Sequence, residues 1–267
     1  MNNMFLVTLI TVVLLGVFFG VVLVVAAKKF KVVDDPRVEE IENILPGSNC
    51  GACGFAGCKI FAQMVALGQA DLEGCPVGGG ETAEKIAAIM GVDSVSEKAG
   101  RQVACIRCQG DRKRAQNLSE YQGIPSCAGA ELVEGGFKAC AYGCLGLGDC
   151  VRACPFNAIE INSEGLPVVD RRLCTGCKKC VEVCPRGVIS MTQDSSKINV
   201  LCISQEKGKE VRKICEAGCI GCKRCVKVCA PGALKVENNL AIIDYEKCTS
   251  CGLCVEECPT GAISSDQ

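Results

Sequence analysis

The sequence predicts an α+β chain of small metal-organised modules strung behind a single N-terminal transmembrane helix. Three observations predict it. Of 267 residues 25 are cysteine, with no histidine or tryptophan and only 4% aromatic residues, which leaves little for one large apolar core and much for bound metal. Residues 4–27 carry no charge. From residue 140 onward a cysteine–hairpin–cysteine unit occurs twice, which marks an internal repeat.

Composition also excludes. Without histidine there is no His-ligated haem, Rieske centre, imidazole base or two-histidine iron site. With 29 basic and 30 acidic residues the chain is nearly neutral, so nothing points to nucleic acid. A disulfide scaffold of this cysteine content is usually short and secreted, and this chain is neither short nor equipped with a cleavable signal.

Residues 4–27, MFLVTLITVVLLGVFFGVVLVVAA, span ~36 Å as a helix, enough for a hydrocarbon core of ~30 Å. A secretory signal is disfavoured by the absence of a basic start and of a small-residue cleavage site. Lys28, Lys29 and Lys31 follow the run and no charged side chain precedes it. The positive-inside rule then expects a single-pass protein of a bacterial or archaeal cell membrane, N-terminus outside and cluster domain cytoplasmic. In that reducing compartment clustered cysteines are metal ligands rather than disulfides. Gly16 and Gly20 form a G-x-x-x-G pair that either admits a partner helix or is unremarkable.

The chain divides as follows. Residues 1–27 are the anchor. Residues 28–49 are a connector with one helix, capped by Asp35, opened by Pro36 and ended by Pro46-Gly47. Residues 50–90 form a module with Cys50, Cys53, Cys58 and Cys75 spaced x2, x4 and x16, a helix over 59–67 stopping at Gly68, a glycine-rich linker turn at 78–80, and a helix over 81–90 ended by Gly91. Residues 91–135 and 196–215 are linkers with extra cysteines. Residues 136–195 and 216–267 are the two repeated units.

The repeat decides the architecture. Cys154-Pro155 and Cys184-Pro185 stand 30 residues apart, and Cys229 and Cys258-Pro259 stand 29 apart. Each pair encloses an alternating hairpin, 158–170 or 233–244, and each hairpin closes on an aspartate (Asp170 or Asp244) four residues before the next cysteine. Each unit therefore reads as a two-cluster, ferredoxin-like fold.

The run C-x2-C-x2-C-x3-C-P from Cys174 to Pro185 is the bacterial ferredoxin pattern for [4Fe-4S] clusters, in which the fourth cysteine ligates the sister cluster. Zinc sites come instead as two separated C-x2-C knuckles around one ion. Crossed ligation then predicts four sets in the repeats. Cys219, Cys222, Cys225 and Cys258 form one, and Cys248, Cys251, Cys254 and Cys229 another. Cys174, Cys177 and Cys180 join Cys154, and the less regular Cys140, Cys144 and Cys150 join Cys184. With the set of Cys50, Cys53, Cys58 and Cys75 this makes five clusters. Cys105, Cys108, Cys127, Cys202 and Cys215 remain. Four of these either hold a sixth cluster or some are buried thiols.

The membrane helix, the segment DDPRVEEIENILPGSNCGACGFAGC and the tandem ferredoxin motifs together resemble the B subunits of the Rnf complexes, ion-translocating ferredoxin:NAD oxidoreductases. The resemblance covers essentially the whole chain, although the first module alone also resembles corrinoid iron–sulfur proteins. Residues 100–150 and 200–215 depart from the shorter members and suit a long form with extra clusters. The resemblance implies an electron-relay subunit, without a catalytic site of its own. It would accept electrons from reduced ferredoxin and pass them to flavin-bearing subunits of the same membrane complex, the route ending at NAD while Na⁺ or H⁺ moves. The sequence agrees by omission, with no Rossmann glycine fingerprint, no Walker loop and no charge in the membrane span, so no flavin is expected on this chain. Lys178, Lys179, Lys223 and Arg224 sit between ligands, either as a basic collar for an acidic ferredoxin or as ordinary solvated loops. The competing readings are a membrane-tethered polyferredoxin serving a different reductase and a zinc-stabilised scaffold.

Overall fold

The computed structural model describes residues 2–29, 35–92 and 101–265. Lys31 of the basic flank, residues 30–34 of the connector and residues 93–100 of the expected linker lie outside the described residues. Helix α1, Asn2–Lys29, contains the apolar window Leu9–Ala26 with a mean hydropathy of 3.1. Its large apolar side chains from Val7 to Val25 are exposed all round. A helix without a polar face has no dry place to go in water.

The next module is helical. Helix α2, Pro36–Ile44, begins where the Asp35 carboxylate accepts the amide of Arg37, and proline occupies the first turn. Helix α3, Cys58–Ala66, ends at the left-handed Gly68. Helix α4, Gly79–Met90, ends at Gly91 with φ 69°. Gly79 and Gly80 thus belong to the helix rather than to the expected linker turn, because the amide of Gly79 already bonds Cys75 O. Ile41, Phe61, Val65 and Ile86 meet as a fully buried core.

The rest of the described residues form four two-stranded antiparallel sheets joined by short helices. Strand β1 is Gln102–Ile106, followed by α5, Cys127–Glu131, and α6, Asp149–Ala153. The first hairpin is β2, Ile159–Ile161, and β3, Pro167–Val169. Next come α7, Lys179–Glu182, β4, Ile189–Gln193, β5, Asn199–Val200, and α8, Gly208–Ile214. Last are α9, Arg224–Val228, the hairpin of β6, Leu234–Glu237, and β7, Leu240–Ile243, then α10, Leu253–Glu256, and β8, Ile263–Ser264.

The repeated aspartates have one structural job. Asp170 and Asp244 close their hairpins by bonding Ala158 O and Ala233 O at 2.8 and 2.7 Å. Their carboxylates then accept the amides of Arg172 and Glu246, two residues on. Their carbonyls accept the amides of Cys174 and Cys248. Each aspartate therefore turns the chain from a strand into a cysteine loop.

Two stretches expected as linkers contain structure. β1 pairs with β4, Gln102 opposite Gln193 and Ile106 opposite Ile189. β5 pairs with β8, Val200 opposite Ile263. Each pairing joins the two ends of a core, one around Val103, Ile106, Val188 and Ile189, the other around Ile198, Val200, Leu240 and Ile263. The alternation that signals a strand is missing because Val103 to Ile106 are all buried.

The two cores are tied directly. Arg107 donates to Val200 O and Cys202 O. The amides of Gln116 and Glu216 bond Ile214 O and Arg114 O, around a bridge between Ala115 and Cys215. Asp111, only 2% exposed, braces this segment by accepting from the Lys113 and Arg114 amides and the Arg114 guanidinium, each at 2.8 Å.

Candidate metal centres

Each cysteine loop in the repeats is built the same way. The short helices α6, α7, α9 and α10 start from left-handed caps at Gly148, Lys178, Lys223 and Gly252. Each buries one cysteine in its first turn: Cys150, Cys180, Cys225 or Cys254. Two glycines permit the loops before them. Gly176 and Gly221 have φ 73° and 63°, and a Cβ there would stand 2.6 Å from Gln102 O and 2.8 Å from Asn239 O. Only glycine allows both that conformation and that approach.

Three sets of cysteines expected from spacing line common cavities. Cys154, Cys174, Cys177 and Cys180 enclose one, walled by Phe156, Ile159 and Met191. Cys219, Cys222, Cys225 and Cys258 enclose a second. Cys229, Cys248, Cys251 and Cys254 enclose a third. In the helical module, burial first and then the charges of Cys53 and Cys58 push the Cys75 thiol up, and Cys58, like Cys53, packs on the same core. There Asn49, which sequence reading passed over, accepts the Cys58 amide at 2.8 Å and holds the loop that carries Cys50 and Cys53.

The irregular set differs from the expectation. Cys140 does not join Cys144, Cys150 and Cys184. It lines a cavity with Cys108, Cys202 and Cys215, walled by Ala115, Leu201 and Val211. Cys127 comes to Cys144 and Cys150 instead. Burial first, and then the charges of Cys127 and Cys184, push Cys150 to about 11. Burial first, and then the charges of Cys108, Cys127 and Cys150, likewise carry Cys144 to about 12.

The cause is a carboxylate. Asp149, at the head of α6, accepts the amides of Cys127 and Ala128 and the hydroxyl of Ser126, each at 3.0 Å. That pins the start of α5 to the start of α6 and sets Cys127 beside Cys150. Arg186 meanwhile donates to Cys140 O and Ala141 O at 2.7 and 2.6 Å, which fixes the loop that carries Cys140 toward the other cavity. A signal for the new cavity was present: K-x-C-x2-G-C occurs at 138–144 and again at 213–219, a step of 75 residues. Cys105 lines none of these four cavities. It lies in β1 opposite Ser190, and burial pushes its thiol to about 11.

The donor sets fit iron–sulfur clusters. Every cage is thiol only, and most of its sulfurs are buried or half-buried. Backbone amides point at sulfur from Ala158 to Cys154, from Ala233 to Cys229, from Ala104 to Cys174, from Ser204 to Cys202 and from Gly78 to Cys75, at 3.2–3.4 Å. Such donors stabilise thiolate sulfur on a cluster. Burial opposes ionisation of the bare thiols, up to about 12 at Cys180, so a positive core must draw the protons off. Among the described residues no three His, Cys, Asp or Glu side chains converge on a single ion. Four sulfurs on one zinc stand only ~3.8 Å apart, whereas a cubane holds them farther apart.

Buried cages of four thiols, repeated along one chain, define an iron–sulfur electron-transfer protein of the polyferredoxin class. The 4Fe-4S dicluster domain family matches residues 141–191 and again 173–233. The 4Fe-4S binding domain family matches 241–264, and an Fe-S cluster family matches 45–77. The chain is 45% identical to the B subunit of the Na(+)-translocating ferredoxin:NAD(+) oxidoreductase complex of Acetobacterium woodii, over 97% of this chain and 78% of that one. It is 43% identical to the B subunit of the ion-translocating oxidoreductase complex of Methanosarcina acetivorans, over 88% and 89%. It is also 43% identical to the B subunit of the proton-translocating ferredoxin:NAD(+) oxidoreductase complex of Clostridium ljungdahlii, over 93% and 87%. The chain belongs to this family, the B subunits of the Rnf complexes, and is an iron–sulfur electron-transfer subunit of an oxidoreductase translocase.

Proposed function

We propose that 24 of the 25 cysteines hold six [4Fe-4S] clusters in single file. On this reading, the reduced ferredoxin that is the electron donor delivers at one end of the file, and flavin-bearing partner subunits receive at the other. The sets are Cys50, Cys53, Cys58 and Cys75; Cys154, Cys174, Cys177 and Cys180; Cys127, Cys144, Cys150 and Cys184; Cys108, Cys140, Cys202 and Cys215; Cys219, Cys222, Cys225 and Cys258; and Cys229, Cys248, Cys251 and Cys254. They make one helical module and two tandem ferredoxin-like units, with the fourth set between the units. Cys105 is the buried thiol left over, and no flavin sits on this chain.

The observation that carries the reading is that neighbouring sets lie close together: the Cys144 amide donates to Cys108 Sγ at 3.3 Å, and thiols of one set raise those of the next. Besides burial, which pushes all four thiols up, Cys177 is raised by Cys50, Cys180 by Cys150, Cys144 by Cys108 and Cys202 by Cys219. The last two sets share a core, with α9 packed on α10. Bound there, the clusters supply one-electron redox steps. The protein's residues hold their spacing, keep water out and direct amides to sulfur.

The direction follows from the ends. The first set belongs to the module that follows α1, the expected membrane anchor, whose cytoplasmic flank would be the basic residues after it. Cys222 and Cys251, in the last two sets, are the exposed cysteines among the described residues. Exposed Lys223 and Arg224 stand beside Cys222, suited to an acidic protein donor.

Iron, sulfide and zinc per chain on anaerobically purified protein test this reading. About 24 iron with matching sulfide is expected. About 20 would remove the fourth set, and zinc with little iron would overturn the relay altogether.

A further inference from the structure

Lys138 is a lysine turned inward, 6% exposed, and its ammonium donates to Gly110 O. No carboxylate among the described residues pairs with it. The other buried charges are matched: Asp111 faces Arg114, and the Arg186 side chain faces Glu131. Its counterpart one repeat later, Lys213, stands in solvent and pairs with Glu210. One copy of the same K-x-C-x2-G-C segment has therefore drawn its lysine in, and the other has not.

Removing an ammonium from water is costly unless a negative charge meets it. The surroundings name that charge. A Cβ on Gly110 would lie 3.4 Å from Cys215 Sγ and 3.7 Å from Cys108 Sγ, so the carbonyl that holds Lys138 belongs to the wall of that cage. Burial raises the Cys140 and Cys215 thiols; Arg186 and then Lys138 counter it at Cys140, and Lys138 counters it at Cys215. Four thiolates around an iron–sulfur core outweigh its positive charge, so the filled cage is an anion.

We propose that Lys138 is the fixed counter-charge of the cluster held by Cys108, Cys140, Cys202 and Cys215, and that it raises the reduction potential of that cluster. The proposal rests on the reading of this cage as a cluster site. Reduction adds one electron, delivered from a neighbouring cluster, to an assembly already negative. No bond forms or breaks. A positive charge in a dry site favours the more negative state, so the junction between the two ferredoxin-like units holds an electron more readily than it would without the lysine.

The test uses the full chain with its clusters, purified anaerobically, as wild type, K138M, K138R and K213M. Iron and sulfide are counted, and a redox titration is followed by electron paramagnetic resonance. Wild type is expected to carry about 24 iron. In K138M one midpoint moves negative, its reduction equilibrium falling at least tenfold, 59 mV for a one-electron couple. K138R and K213M keep every midpoint. Loss of about four iron in K138M but not K138R also supports the proposal, because charge then holds the anionic cluster in place. Full iron in K138M with no midpoint moved overturns it. So does loss of the same iron in K138R, which would make shape rather than charge the cause. Wild-type iron of about 20 would overturn the cage reading itself and this proposal with it.

Discussion

Replacing Asp149 by alanine should free one cluster without touching a cysteine. The carboxylate receives the amides of Cys127 and Ala128 and the hydroxyl of Ser126, each at 3.0 Å. Hydrogen bonds to a charged group contribute about 1.5–3 kcal/mol each. Ala128 is exposed, so its amide turns to water and is discounted. The ion pair with Arg152, itself 56% exposed, adds little. Two bonds remain, about 3–6 kcal/mol together. At roughly 1.4 kcal/mol per factor of ten, α5 leaves α6 about a hundred to ten thousand times more often. Cys127 then swings away from Cys144 and Cys150. Chelator-driven loss of visible absorbance should show one fast phase worth about four iron of 24, while the remaining iron bleaches at the wild-type rate. Full iron with a single wild-type phase would refute the pinning argument, and with it the placement of Cys127.

Two further outcomes follow from the cages. C127S and C140S should each lose about four iron and should abolish different paramagnetic signals, whereas C105A should keep all its iron; a shared signal would return Cys140 to the set of Cys144. Anaerobic removal of all iron should abolish the strand contribution to the circular dichroism of the full chain, because cores of two-stranded sheets depend on bound metal for their folding free energy; a retained strand signal would refute that dependence.

Much of the structure was legible because ligand spacing is local. The hairpins over 158–170 and 233–244 announced themselves by alternation, and their closing aspartates marked where each chain turns into a loop. What was not legible is long-range. β1 finds β4 across more than eighty residues, and β5 consists of two residues, so neither carries a periodicity to read. Cys127 takes its place through the side chain of Asp149, a tertiary contact that no spacing rule contains. The fourth cage was partly legible. Cys140 and Cys215 each stand four residues before a ligand in both repeats, but the extra residues between Cys108 and Cys140 hide the parallel with Cys202 and Cys215.

The cage that joins the two units has a consequence for how the protein is made. A cage is complete only when its last thiol has been synthesised. In chain order those closing thiols are Cys75, Cys180, Cys184, Cys215, Cys254 and Cys258. On the six-cluster reading, four of the six sets are therefore complete before the final fifty residues leave the ribosome, in the same order as proposed for the relay. The cage of Cys108 and Cys140 is the one that must wait, half built, for thiols from the next repeat. Metal delivery can thus follow chain order, and a ribosome stalled between Cys184 and Cys202 would release a chain whose first three sets have all their thiols and whose fourth is an open pair.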